Sequence, residues 1–140
     1  MSPVARIAFL LFMACAIPAQ AQTAAPVLAI ELNALQASET GCRITFVVTN
    51  NLGSTLDLAT TEIALFNTGG AIERIIKLDF KALIDGKSKV LQFNIPDLKC
   101  ESVGRLLLND ITACQGDALE PAACLTQLKT TAIPDVAFGV

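Results

Sequence analysis

The chain has 140 residues, of which 53% are hydrophobic, and it carries a formal net charge of −3. This mild acidity is spread without runs, which argues against binding to nucleic acid or to an anionic membrane surface. The sequence contains no His, Trp or Tyr, which excludes an imidazole general base, His-ligated metals and Trp or Tyr platforms for sugars or bases. We therefore expect a protein that is not an enzyme and that holds no metal or cofactor.

The N-terminal stretch MSPVARIAFLLFMACAIPAQAQ has the pattern of a secretory signal. One basic residue, Arg6, precedes an apolar run at 7–17 that is too short to span a bilayer. Small residues lie at Ala19-Gln20-Ala21, so we expect a signal peptide at 1–21, cleavage after Ala21, and a periplasmic or secreted protein without a later membrane span. Two alternatives stay open, namely an N-terminal anchor helix and a lipid anchor at Cys15 in FMAC.

Four cysteines follow the predicted signal, and an even number in an exported chain implies disulfides. Four cysteines can be paired in three different ways. We expect Cys42–Cys100, which joins the start of one strand to the end of another, and Cys114–Cys124, which closes the short loop CQGDALEPAAC. On the chain-entropy model these bonds contribute about 4 and about 3 kcal/mol. No Cys-x-x-Cys pair or His supports a metal or redox site, and a four-thiolate zinc site is the formal alternative.

The first predicted elements after the signal are a leader and two strands. Residues 22–26, QTAAP, predict a disordered leader, and alternation over 27–36 predicts a strand. The stretch RITFVVTN predicts a second strand, which NNLGST ends because Asn and Gly tolerate the left-handed backbone of a turn. The residues expected to face inward on these two strands are Leu28, Ile30, Leu32, Ala34, Ile44, Phe46 and Val48.

The clearest hairpin pairs strands near 60–67 and 71–78 across the turn NTGG. The connection FKALIDGKSK then leads to a strand in KVLQFNIP, and a last strand is expected near 103–113. A short helix is predicted in LEPAACLTQLK, where Pro121 occupies the first turn. Residues 129–140 are predicted to form a flexible tail.

Six strands at roughly 10-residue spacing predict an all-β fold. The expected architecture is an antiparallel immunoglobulin-like β-sandwich of six to seven strands over 27–128, with a short C-terminal helix. A small closed barrel is the alternative.

Three motifs, VVTNNLG, LFNTGGAI and IDGKSKVLQFNIP, carry a resemblance over residues 27–114. Their order resembles exported bacterial immunoglobulin-like modules of the FxLYD type and small uncharacterised secreted bacterial proteins, although the Tyr-Asp of that name is absent. The resemblance implies adhesion, scaffolding or an accessory role rather than catalysis. It assigns no site residues.

One segment, AIERIIKLDF, has apolar residues on both faces of its predicted strand. Such a strand is either packed inside the sandwich or an edge that a partner strand can join. The candidate partner surface comprises Ile72, Arg74, Ile75 and Lys77. We expect a protein-binding or structural accessory module whose partner is another envelope or extracellular protein, and the alternative is a binder of a small apolar ligand between the sheets.

Overall fold

The computed structural model describes residues 19–140. Residues 19–26 have no regular secondary structure and are exposed, and most of the predicted signal lies outside the described residues. Within 19–140, no helix is long and apolar enough to cross a membrane. The chain forms eight strands, namely β1 (Val27–Ala37), β2 (Gly41–Asn51), β3 (Leu56–Asn67), β4 (Ile72–Leu83), β5 (Lys87–Pro96), β6 (Val103–Gln115), β7 (Leu128–Ala132) and β8 (Ala137–Gly139).

Two four-stranded sheets pack face to face, with strand orders β5-β2-β1-β7 and β4-β3-β6-β8. We call the second of these the β4 sheet. A turn of 3₁₀ helix (Cys100–Ser102) precedes β6, and the short helix α1 (Ala123–Thr126) follows it. This architecture confirms the predicted all-β sandwich with a short C-terminal helix. It adds parallel pairing at two places, between β1 and β7 and between β6 and β8.

The core follows the alternation of the strands. On β1 and β2 the predicted inward residues are almost completely buried, except for Ala34. The register shifts between Leu32 and Ala34, so that Asn33 is an extra residue and the alternation reverses after it. Leu35 packs against the core in place of Ala34, and the prediction for Ala34 was wrong because a bulge is not visible in a period-two pattern.

Four phenylalanine rings fill the middle of the space between the sheets. Phe46 of β2 lies 6.0 Å from Phe80 of β4, 6.3 Å from Phe93 of β5 and 5.7 Å from Phe138 of β8, measured between ring centroids. Tilted and edge-on pairs at these separations are favourable beyond the area they bury. The cluster therefore ties together strands from both sheets.

The predicted flexible tail at 129–140 instead forms most of β7 and all of β8. β7 lies beside β1, the chain bends at 133–136, and β8 returns beside β6. Phe138 is only 8% exposed. The prediction of a flexible tail was wrong because β1 and β6, which are distant in the sequence, pair in parallel with β7 and β8 and supply their backbone hydrogen bonds. The local periodicity of the tail does not indicate such distant partners.

β4 is also longer than the strand predicted at 71–78, since it continues to Leu83. Its register with β3 shifts around Phe80, and Lys81 has a positive φ of 57°. This bulge breaks the alternation, which explains why the sequence pattern placed a connection there.

Candidate interaction site

Both disulfides lie at the ends of the sandwich. Cys42 at the start of β2 is bonded to Cys100 in the 3₁₀ turn, and Cys114 on β6 is bonded to Cys124 in α1. The predicted connectivity is confirmed. Because all four sulfurs are consumed in these bonds, none is a free thiolate nucleophile or ligand. Two such bonds indicate an oxidising extracellular or periplasmic environment.

The turn after β2 is held by a buried asparagine. The side-chain amide of Asn50 donates to the carbonyl oxygens of Ser54 (2.9 Å) and Leu83 (2.8 Å), and its Oδ1 accepts from the Leu52 N–H (3.0 Å). Every hydrogen of this fully buried amide therefore has a partner. The NNLGST turn has a structural role, and it ties the β2–β3 loop to the end of β4.

The two sides of the sandwich differ. On one side, which we call the closed side, the edge strands of the two sheets are β7 and β8, and they contact each other. On the other side, which we call the open side, the edge strands are β4 and β5, and they also contact each other. Each edge strand directs the backbone N–H and C=O groups of every second residue away from its own sheet. The open side thus carries the two long edges of the molecule, of 12 and 10 residues.

Basic side chains bridge the two sheets at both ends of the open side. The Lys89 ammonium on β5 donates to the carbonyl oxygens of Phe80 and Ala82, at 3.1 Å each. At the other end, Arg74 Nη1 donates to the carbonyl oxygen of Pro96 at 2.7 Å. Lys89 occupies carbonyl acceptors on the C-terminal part of β4, which makes that part a poor template for another strand.

The bulge of β4 acts in the same region. Asp79 accepts from the Lys81 N–H at 2.8 Å and lies 3.3 Å from its ammonium. The backbone hydrogen bond, followed by the nearby positive charges, lowers the pKa of Asp79 from its ordinary value of 3.8. A bulge with a locally bonded side chain interrupts straight strand pairing. Residues 79–83 are therefore protected against strand addition.

The rest of the strand, residues 72–78, lacks the Lys89 contacts, and we call it the open edge. Its register with β3 shifts between Arg74 and Ile72, so that Glu73 is an extra residue there. From Glu73 to Leu78 the exposure of the side chains alternates regularly. Ile72 is 58% exposed and Ile75 is 52% exposed, while Lys77 is also exposed. Arg74 is half-buried and reaches toward β5. The structure therefore places three of the four predicted surface residues on the exposed part of the strand and turns Arg74 toward the other sheet.

The outer face of the β4 sheet continues the apolar character of this edge. Ile75 is opposite Ala64 on β3, which is opposite Leu107 on β6. Ala64 is buried on this outward face, between its two larger neighbours. Next to this row, the Arg105 guanidinium lies 4.1 Å from the ring centroid of Phe66, a cation–π geometry. Sequence reasoning did not identify this row, because its members come from three separate strands.

Two adjoining surface grooves lie at the end of the sandwich that holds the β1–β2 turn. One, of about 450 Å³, is lined by Ser38, Thr40, Asp97, Lys99 and Glu101 among others, and an adjoining one has about 430 Å³. Residues 19–140 contain no group of three or more His, Cys, Asp or Glu that could hold a metal ion. A smaller apolar groove of about 240 Å³ lies beside Ile84 at the opposite end.

Comparisons with known proteins give no relative for this chain. No protein-family model, curated protein or solved structure matches it.

Proposed function

We propose that this chain is a non-enzymatic β-sandwich module, exported to the periplasm or beyond after cleavage at Ala21, that binds another protein of the cell envelope. Binding occurs by addition of an extended segment to the open edge at 72–78. The observation that carries the proposal is the contrast along β4: Lys89 occupies the carbonyl oxygens of Phe80 and Ala82 beside the bulge, whereas residues 74–78 pair with β3 without a register shift and have no contact with Lys89.

The exposed isoleucines support this choice of surface. An added strand acquires hydrogen bonds from the backbone of β4, and its side chains alternate between the two faces of the extended sheet. On the outer face, such a segment places an apolar side chain beside Ile75 and prolongs the row formed with Ala64 and Leu107. Burying a half-exposed isoleucine favours association because apolar surface leaves water.

The absence of histidine from the whole sequence supports a role without catalysis. The cysteines supply no nucleophile either, since all four in the described chain are disulfide-bonded. A structural or binding role is also consistent with the two disulfides, which stabilise a module that works outside the reducing cytosol.

The experiment is affinity capture of partners from the cell envelope by the exported chain and two variants. Ile75→Lys places a charge at the middle of the open edge, whereas Ile133→Lys makes the same change at a position that is 68% exposed on the closed side. We expect a specific partner to be lost with Ile75→Lys and retained with Ile133→Lys. Equal retention by both variants would contradict the proposal.

Native mass spectrometry of the same preparation separates this proposal from an apolar-ligand binder. Because the rings of Phe46, Phe80, Phe93 and Phe138 fill the middle of the sandwich, we expect masses that correspond to protein alone, with no added small molecule. A stoichiometric added mass of lipid size would favour the ligand-binding function instead.

A further inference from the structure

Two opposite charges of the open edge lie at equal distances from its central residue, Ile75. The segment reads Ile-Glu-Arg-Ile-Ile-Lys-Leu, with Glu73 two residues before Ile75 and Lys77 two residues after it. The ends of the segment differ, since Ile72 is 58% exposed whereas Leu78 is buried in the core. An antiparallel pair of identical strands places residues at equal distances from the two-fold axis opposite each other. Residues of opposite charge at those positions favour pairing of the segment with itself.

The register follows from the charges. When two copies pair antiparallel about Ile75, Glu73 of each copy lies opposite Lys77 of the other, and Ile75 lies opposite Ile75. A pair centred on Ile76 instead places Glu73 opposite Asp79, and one centred on Lys77 places two lysines directly opposite each other. Like charges directly opposite are destabilising. The Ile75 register is thus the self-complementary one among these.

We propose that the open edge pairs with the same segment of a second copy of this chain, around a two-fold axis at Ile75, which joins the two β4 sheets into one sheet of eight strands. This inference rests on the proposed function, since it uses the same edge, and it names the partner. Isologous pairing of this kind closes after two copies and leaves no further β4 edge to extend.

The charges that the pair requires are weakly engaged within one copy. Lys77 has no ion pair within residues 19–140, although Glu62 lies opposite it on β3. Glu62 is turned the other way and accepts from the side-chain amide of Asn109 at 2.7 Å. Lys77 is therefore available to a carboxylate across the open edge.

Glu73 is similarly available. Its contact within the chain is with the Ser102 hydroxyl at 3.3 Å, and the same hydroxyl lies 2.8 Å from the Lys99 carbonyl oxygen. A hydroxyl has one hydrogen to donate, so the shorter contact to the carbonyl competes with the carboxylate. Glu73 can meet Lys77 of a second copy without losing a strong hydrogen bond.

The protected part of β4 limits the length of the pair. The bulge begins after Asp79, and the Lys89 contacts lie at Phe80 and Ala82. A pair centred on Ile75 joins 73 to 77 and stops before these features, and its other end stops at Glu73, where the register with β3 shifts. The part of β4 between its register shifts at Glu73 and Phe80 thus contains Ile75, on which the charge pattern centres the pair.

The test is the mass in solution, by sedimentation or light scattering, of the exported chain and two charge variants. We expect a dimer for the unchanged chain. Glu73→Lys and Lys77→Glu each place like charges opposite each other twice, so each weakens the dimer at least about tenfold, which corresponds to about 1.4 kcal/mol. A 1:1 mixture of the two variants restores opposite charges in both pairs, and we expect it to form a mixed dimer.

The matched control is Lys129→Glu on β7, an exposed position on the closed side that makes the same charge change and should leave the dimer intact. A monomeric unchanged chain, a dimer unaffected by either single variant, or a mixture that stays monomeric would each overturn the self-pairing. Capture of a different protein that still depends on Ile75 would then leave the proposed function standing. Circular dichroism of each variant separates loss of pairing from loss of folding.

Discussion

Removal of the Phe138 ring tests whether the C-terminal strand is part of the core. Phe138→Ala deletes a side chain that is 8% exposed and whose ring lies 5.7 Å from the ring of Phe46. The change leaves β8 with its parallel backbone pairing to β6 but takes away its anchor between the sheets. A matched control is Val140→Ala, one strand position beyond β8 and 70% exposed.

The expected loss of stability follows from the burial of the ring. Phe→Ala substitutions in cores cost about 3–5 kcal/mol, and the cost depends on how far the site can collapse. β8 is a three-residue strand at the edge of its sheet, which can relax toward the space left behind. We therefore expect a loss of about 3 kcal/mol and a melting temperature lower by roughly 10 °C.

Urea unfolding followed by far-UV circular dichroism measures this difference, because the chain has no Trp or Tyr for fluorescence. The control should change stability by less than about 0.5 kcal/mol. Equal stabilities of Phe138→Ala and Val140→Ala would refute the reasoning, because they would mean that residues 137–139 do not dock and that the C-terminal segment behaves as the tail predicted from the sequence.

Two further predictions concern polar groups. Asn50→Ala removes three hydrogen bonds, two to the carbonyl oxygens of Ser54 and Leu83 and one from the Leu52 N–H. We therefore expect a loss of about 3 kcal/mol in the free energy of unfolding, against little change for the exposed neighbour Asn51→Ala. Similar losses for both variants would contradict the structural role of the turn. The pKa of Asp79 is lowered in the folded chain, so its charge favours folding above the unfolded pKa, and this contribution fades as the pH falls through the folded pKa. We expect NMR titration of Asp79 to give a pKa below 3.8. We expect Asp79→Asn to make the free energy of unfolding less dependent on pH over the range in which this carboxyl titrates. A carboxyl that titrates at or above 3.8 would count against the Lys81 hydrogen bond.

The sandwich was predictable where the strands alternate without interruption. On β2, Ile44, Phe46 and Val48 occupy every second position and all face the core, so the period alone fixes the inward face. The disulfide connectivity was predictable for a related reason. Cys42 begins one strand and Cys100 follows the end of its neighbour β5, so strand boundaries read from the sequence already placed the two cysteines at the same end.

The parts that could not be predicted depend on contacts between distant segments. The extra residue at Asn33 and the bulge around Phe80 shift the alternation without any change in composition. Leu128 pairs with Leu28, which lies 100 residues earlier in the chain, and no local sequence pattern predicts this pairing. The side chain of Asn50 resembles any turn asparagine until the loop at Leu83 is in place beside it.

The candidate site shows the same division. The sequence analysis identified Ile72, Arg74, Ile75 and Lys77 of β4, but neither Glu73 nor the arrangement of opposite charges about Ile75. Only the sheet topology shows that β4 is an edge, and only the contacts of Lys89 show which part of the edge is protected. The direction of Arg74, which reaches toward the Pro96 carbonyl, was likewise fixed by the position of the second sheet.

The most direct test of the account is the mass in solution of Glu73→Lys and Lys77→Glu, measured separately and after mixing at 1:1. The account predicts weakened association of each variant alone and a dimer in the mixture, because opposite charges then meet on both sides of Ile75. If the mixture associates no better than its components, the open edge of β4 does not pair with itself.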